Sequence, residues 1–166
     1  MQKSDLALDQ LSAHLADALA YWRDAGGEAL RCDWRSFDMM RLPYAVLPTT
    51  MVIDVADDMA NNRYRFWGSG MTDVHGRDMT DRSPYDLDPP EFGNLLKEQH
   101  AAVIDEKAAR AMISGFDRRE GFHHVHSTLW LPLSDDGTDI HHLVVIVDLT
   151  ATGRAFIDEQ RRGMRD

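Results

Sequence analysis

His123, His124, His126, His141 and His142 form the densest group of side chains able to ligate metal or move protons. On a strand, alternation puts His124 and His126 on one face. A metal ion needs several imidazoles converging at about 2 Å. A hairpin centred on Asp136–Gly137 would set Leu133 opposite Ile140, His142 opposite Leu131 and His126 opposite Val147. The two groups then stand roughly 16 Å apart along the ladder, too far to share an ion. Two ligands without HExxH-type spacing do not make a metal site, so no metal is expected. These histidines instead fit a solvated or partner-facing sheet surface. His100 is different, because it sits four residues after Leu96 and four before Ile104 and shares the apolar side of a helix.

The remaining chemistry-bearing residues argue against catalysis. Asp57–Asp58 and Asp135–Asp136 are adjacent pairs within turns, where carboxylates bond nearby backbone amides. General acid–base work needs carboxyl groups facing each other across a cleft. Gly68-Ser69-Gly70-Met71-Thr72-Asp73 opens like a dinucleotide fingerprint but lacks its last glycine and a following βαβ unit. There is no P-loop or nucleophile elbow. Cys32 is the single cysteine, so neither an internal disulfide nor a thiolate metal cage can form. No catalytic residue is assigned, and the chain is expected not to be an enzyme.

The elements that must position these residues follow from periodicity and punctuation. Leu8, Leu11, Leu15, Leu19 and Trp22 recur at spacings of three and four, predicting an amphipathic helix from Ser4 to Gly26–Gly27. A short helical piece capped by Ser36 leads to Pro43. Thr49–Val55 and the Tyr64–Trp67 run read as strands, joined by the turn-forming residues 56–62 into a hairpin. Residues 71–90 read as short helical turns, followed by a helix over Glu91–Ala108 with Phe92, Leu95, Leu96, Val103 and Ile104 on one side. A three-strand meander closes the chain: Arg110–Phe116, a turn at 118–121, 122–133, a second turn at Asp135–Thr138, and Ile140–Thr150. Strands separated from a block of helices predict an α+β layout, an antiparallel sheet with helices on one face.

The chain of 166 residues, 43% hydrophobic and 28% charged, is globular in composition and sized for one domain. The reading divides it into an amphipathic helix over 1–30, a sensor-like domain over 31–150 and a charged tail over 151–166. A formal net charge of −10 repels phosphate backbones and anionic lipid, so neither nucleic acid nor membrane is an expected partner. Asp5, Asp9, His14 and Asp17 interrupt any signal-peptide core, and the expected location is cytoplasmic.

Four segments carry a family resemblance. They are residues 37–55 from Phe37-Asp38-Met39-Met40 to Asp54-Val55, then Arg63–Gly70, Gly76-Arg77-Asp78-Met79-Thr80, and Leu131–Gly137. In this order they resemble a PAS domain, and more narrowly the bacterial proteins that are little besides one PAS domain. The match runs over roughly residues 20–150, and Asp81 stands where glycine is expected after the Met-Thr pair. The resemblance implies a five-stranded antiparallel sheet with helices across one face, and a sensory or interaction role without catalysis. It also implies a ligand space between helices and sheet, for which Trp67, Met79, Tyr85, His100 and Met112 are the candidates. Light-sensing flavin PAS domains need a cysteine in a short-helix motif, and Cys32 precedes that region. In haem-binding relatives a histidine on the helix corresponding to that of His100 holds the iron.

Three functions are weighed, with an enzyme using the histidine strand placed last, behind them. The first is a non-enzymatic sensory module that binds a small ligand or a signalling protein and relays by contact, dimerising through Leu8, Leu11, Leu15, Leu19 and Trp22. The second is a ligand-free adaptor with a filled core. The third is a redox or gas sensor with haem on His100. A cavity of about 300 Å³ or more separates the first from the second. No cofactor is assigned.

Overall fold

In the computed structural model, which describes residues 2–117 and 123–149, the elements run in chain order as follows. β1 (Gln2–Asp5) and α1 (Ala13–Asp24) come first, then β2 (Thr50–Asp54), β3 (Arg63–Trp67) and α2 (Ser69–His75). After these come α3 (Pro90–Glu106), β4 (Arg110–Asp117), β5 (His123–Leu133) and β6 (His142–Asp148). The turn expected at 118–121 and the charged tail lie outside the described residues. All strands pair antiparallel in one sheet of order β1-β4-β5-β6-β2-β3. The α+β class and both hairpins are as expected. The sheet has six strands instead of five, because β1 adds to the free edge of β4 with Gln2 opposite Gly115 and Asp5 opposite Met112.

Helices cover both faces of the sheet, where one covered face was expected. Every residue of β6 is buried. On one side Val52, Leu129, Leu131, Val144 and Ile146 pack with Leu15, Leu19 and Trp22 of α1. On the other, Ile53, Trp130, Leu143, Val145 and Val147 pack with Leu95, Leu96 and Val103 of α3. An antiparallel sheet with a wet face alternates apolar and polar residues. The uninterrupted apolar run Leu143–Val147 instead marks a strand with no wet face.

This burial corrects the expected dimerisation surface. Leu15, Leu19 and Trp22 are sealed in the core of their own chain, and Leu8 and Leu11 pack against that same cluster. The stripe is therefore not free to meet a second copy. The helix also starts later than periodicity implied. Ser12, not Ser4, is the cap, its hydroxyl accepting from the Leu15 amide and donating to Asp148 at 2.5 Å. Ser4 lies in β1, and the Leu6 amide continues that pairing by donating to the Ala111 carbonyl. The Trp22 indole N–H donates to the Pro132 carbonyl at 2.8 Å, fixing the C-terminal half of α1 to β5.

The histidine register also shifts. The Asp136 carboxylate accepts from the amides of Thr138 and Asp139, while the Ser134 hydroxyl accepts from Gly137. These bonds widen the loop, so Leu133 faces His142 and not Ile140. His142 is thus two residues nearer the turn than expected, and the separation between the histidine groups grows. Among the described residues no group of three metal-ligating side chains forms.

Asp81, standing where the resemblance calls for glycine, has φ of 62°, in the left-handed region. It closes a double backbone contact in which the Asp81 amide donates to the Tyr64 carbonyl and the Tyr64 amide to the Arg82 carbonyl. Aspartate tolerates this conformation better than most residues, and a β-branched residue tolerates it poorly.

Two outcomes follow for stability. Trp22→Ala is expected to lose about 3–5 kcal/mol in urea unfolding, and Trp22→Phe to lose much less, since it keeps most of the packing and gives up the hydrogen bond. Asp81→Val is expected to cost about 1–2 kcal/mol and Asp81→Gly to cost nothing or stabilise. Equal midpoints for the Val and Gly variants would contradict the strain at Asp81.

Candidate functional site

Between the α3-covered face of the sheet and helices α2 and α3 lies a partly enclosed cavity of about 780 Å³. Its floor is Ile53, Thr128, Val145 and Val147; Met71 and His75 of α2 and Leu96 and His100 of α3 form its walls. Asp88 and Glu91, both exposed, stand at its mouth. No Lys or Arg among the described residues lines it.

Local sequence sets the wall carrying His100. Ser83 caps a tight turn at Pro84–Asp86, its hydroxyl accepting from the Tyr85 amide. Gly93 in the first turns of α3 lies so close to the Tyr85 backbone that a Cβ there would collide with its carbonyl. That approach brings the Tyr85 hydroxyl to 3.3 Å from His100 Nδ1, one side chain projecting from the turn and the other from the middle of α3. Asn62, fully buried, completes the cluster by donating from Nδ2 to the Tyr85 hydroxyl at 2.9 Å. Burial holds the His100 imidazole down to about 3, against an ordinary 6.5, and pushes the Tyr85 phenol up to about 12, with the Asn62 bond pulling the other way. His100 Nε2 is buried without a partner among the described residues.

Of the five residues expected at the ligand, His100 lines the cavity and Tyr85 braces it from behind. Trp67, Met79 and Met112 are buried in the same apolar cluster but do not line the cavity. Trp67 packs edge-on to Tyr64 at 4.8 Å and donates to the Thr72 hydroxyl, backing the wall and not forming it. The sequence reading missed His126 and Thr128, which lie two residues apart on β5 and reach the cavity floor. The expectation of solvated histidines is corrected at two positions. His126 is buried with Nε2 3.1 Å from the Ser114 hydroxyl, and His142 is buried between Asp54 and Asp135 at 3.0 and 3.1 Å on the opposite face. Alternation alone could not say that the polar face of β5 was the inside.

Cys32 is buried among the α1-side residues, across the sheet from the cavity. Burial, reinforced by the Asp33 charge, pushes its thiol up to about 11. With the sole thiol on the far face, a cysteine–flavin adduct cannot form in this cavity. Haem does not fit the present arrangement either. The iron would have to reach His100 Nε2, and that nitrogen has almost no surface open to the cavity.

No protein-family model matches the chain, and no curated protein matches its sequence. Solved structures do match in shape. An RNA-binding light-oxygen-voltage receptor is 14% identical with a TM-score of 0.56, over 99% of this chain and 42% of that one. The PAS domain of a protein from Colwellia psychrerythraea is 8% identical with a TM-score of 0.45, over 82% and 99%. The Vibrio cholerae VqmA dimer, described for its DNA binding, is 11% identical with a TM-score of 0.47, over 59% and 44%. The chain thus spans under half the length of the two nucleic-acid-binding neighbours. Its fold is the PAS fold, and at these identities the likeness carries fold alone. It nevertheless corrects the expectation on partners. A receptor of this fold binds RNA, so an acidic net charge does not by itself remove nucleic acid from consideration. No helix among the described residues is long and apolar enough to cross a membrane.

The neutral His100 makes stability depend on pH. The unfolded chain takes up a proton near pH 6.5 that the folded protein refuses until about pH 3. Stability therefore falls as pH drops through this window, by about 1.4 kcal/mol per unit. Between about pH 6.5 and 4.5, wild type is expected to lose roughly 2–3 kcal/mol more than His100→Phe. Parallel pH profiles for the two in chemical denaturation would contradict a buried, neutral His100.

Proposed function

We propose that this protein is a non-enzymatic sensory module of the PAS type that takes a small molecule into the cavity between sheet and helices. The observation that carries this reading is the cavity itself. At about 780 Å³ it falls in the range of small-molecule sites and above the roughly 300 Å³ that separates a ligand pocket from a filled core. This favours the ligand-binding module over the ligand-free adaptor. The PAS fold supports the sensory role, and a cytoplasmic location belongs to the same proposal.

Val145 and Val147 line the cavity, while Val144 and Ile146, alternating with them on β6, pack in the cluster that holds α1. A ligand that bears on β6 differently in two states would shift the packing of α1 and of whatever meets its outer surface. It can do so only to the extent of its differential affinity for those states. Output by contact with a signalling protein is the form proposed.

Native mass spectrometry of gently purified protein is expected to show a bound small molecule, lost in the cavity-filling variant Thr128→Trp. A wild-type protein whose mass is that of the bare chain, and whose Tm does not respond to a library of small apolar compounds, would favour the adaptor.

A further inference from the structure

A hydroxyl sits on the cavity floor where an aliphatic side chain would pack as well. Thr128 is 5% exposed and lines the cavity with Val145, Val147 and Ile53. Its side chain projects to that side of the sheet, since its neighbour Leu129 packs in the α1-side cluster. Strands close both edges of β5 here, with Thr128 opposite Met112 on β4 and Val147 on β6. The cavity is therefore the open space that this side chain meets. Among the described residues, the buried polar atoms sealed from all surface without a partner are Gln99 Oε1, His100 Nε2 and Trp130 Nε1. The Thr128 hydroxyl also has no partner among the described residues, yet it is not one of the sealed atoms. It keeps some surface, and the cavity is where that surface opens. Strand formation does not ask for it, because threonine and valine are both favoured in strands. A hydroxyl without a partner on a largely apolar floor costs free energy until something in the cavity bonds it.

We infer that the Thr128 hydroxyl is the recognition group of the cavity floor. The ligand is an uncharged, chiefly apolar molecule that buries one hydroxyl or carbonyl oxygen against it. A threonine hydroxyl both donates and accepts, so either oxygen is served. A charged group there would stand without a countercharge. No described Lys or Arg lines the cavity, and its two carboxylates, Asp88 and Glu91, lie at the mouth. An unpaired charge is costly to bury. His126, two residues away on the same face, is already engaged at Nε2 by the Ser114 hydroxyl, 3.1 Å away. The apolar body of the ligand meets Met51, Met71, Phe92 and Leu96, adaptable side chains suited to a ring system. The polar end thus goes in first, unlike that of an amphiphile whose head would stay at the charged mouth. This inference rests on the cavity being a ligand site.

The test uses the full chain and three probes that share one ring system: 2-naphthalenemethanol, 2-ethylnaphthalene and 2-naphthoate. In equilibrium dialysis, Thr128→Val is expected to lose about tenfold in affinity for the alcohol and nothing for the hydrocarbon. Thr128→Ser, which keeps the hydroxyl, should restore most of the alcohol binding. The carboxylate should bind the wild type most weakly. Without any probe, Thr128→Val should unfold in urea at the wild-type midpoint or above it, which also shows that the variant folds. A clearly lower midpoint would mean that the hydroxyl is satisfied within the protein, and would overturn its role in recognition. A Val variant that treats alcohol and hydrocarbon alike, whether both affinities fall or neither does, would overturn that role while leaving the cavity a ligand site. Carboxylate binding as tight as that of the alcohol would overturn the uncharged ligand. A wild type that takes up none of the three probes would overturn both this inference and the ligand-site reading beneath it.

Discussion

The structure depends on one constraint: the central strands have no face left for water. β6 is buried along its whole length, so each side of the sheet must find an apolar cover from the same chain. α1 supplies one and α3, with the short helical segments before it, supplies the other. Burial of apolar side chains is worth roughly 1.5–3 kcal/mol each, and the α1-side residues Leu15, Leu19 and Trp22 are nearly inaccessible to solvent. Detaching α1 to make it a docking arm would expose both its own stripe and the sheet beneath. The N-terminal segment is a structural wall, and the cavity lies on the other side of the sheet.

The two covers differ in kind. On the α1 side, aliphatic residues interdigitate and the tryptophan is anchored by a backbone carbonyl of the strand it covers. On the α3 side, buried polar groups interrupt the apolar contact. His100, His126, Thr128 and Tyr64 all reach the same space. Packing one face tightly and leaving the other lined with adaptable and polar side chains concentrates the empty volume in one place. Buried polar groups are costly unless partnered. The chain Ala56–Asn62–Tyr85–His100 partners each group in turn and leaves the imbalance at its last member.

Much of this was legible before any coordinates. Periodicity located α3 to within a residue or two at each end, and β-branched runs with turn formers between them located both hairpins. The order of motifs pointed to the PAS arrangement, and the missing glycine at Asp81 marked a left-handed position. The N-terminus was misread because Leu8 and Leu11 keep the helical spacing of Leu15 and Leu19 although they precede the cap at Ser12. Spacing cannot tell a helix from a loop that packs on the same surface. The run Leu143–Val147 carries no polar residue. Its lack of alternation was the available sign of a second cover. At the site, His100 and Tyr85 stood out, but their contact depends on Gly93 letting the turn approach α3, and no sequence spacing encodes that. His126 was hidden for a simpler reason: polarity on one face of a strand reads as outward until a cavity is known to lie there.

Strand alternation then connects the two halves of the molecule. Residues of β5 and β6 face the cavity and the α1 cluster by turns, so one strand's backbone carries both contacts. Trp130, fully buried on the α3 side, lies between Leu129 and Leu131 on the α1 side. Close-packed interiors transmit strain because a side chain displaced on one face has no void to move into. A shift of β6 toward α1 would meet the aliphatic cluster and the Ser12–Asp148 contact at the start of the helix. The cavity face is the compliant side and the α1 face the stiff one. Movement driven from the cavity therefore has to emerge either through α2 and α3, which bound the empty space directly, or as a rigid adjustment of α1. Yielding of α2 and α3 into the cavity's own space would absorb the movement locally, whereas a rigid adjustment of α1 would carry it to the outer surface on which the proposed output by contact depends.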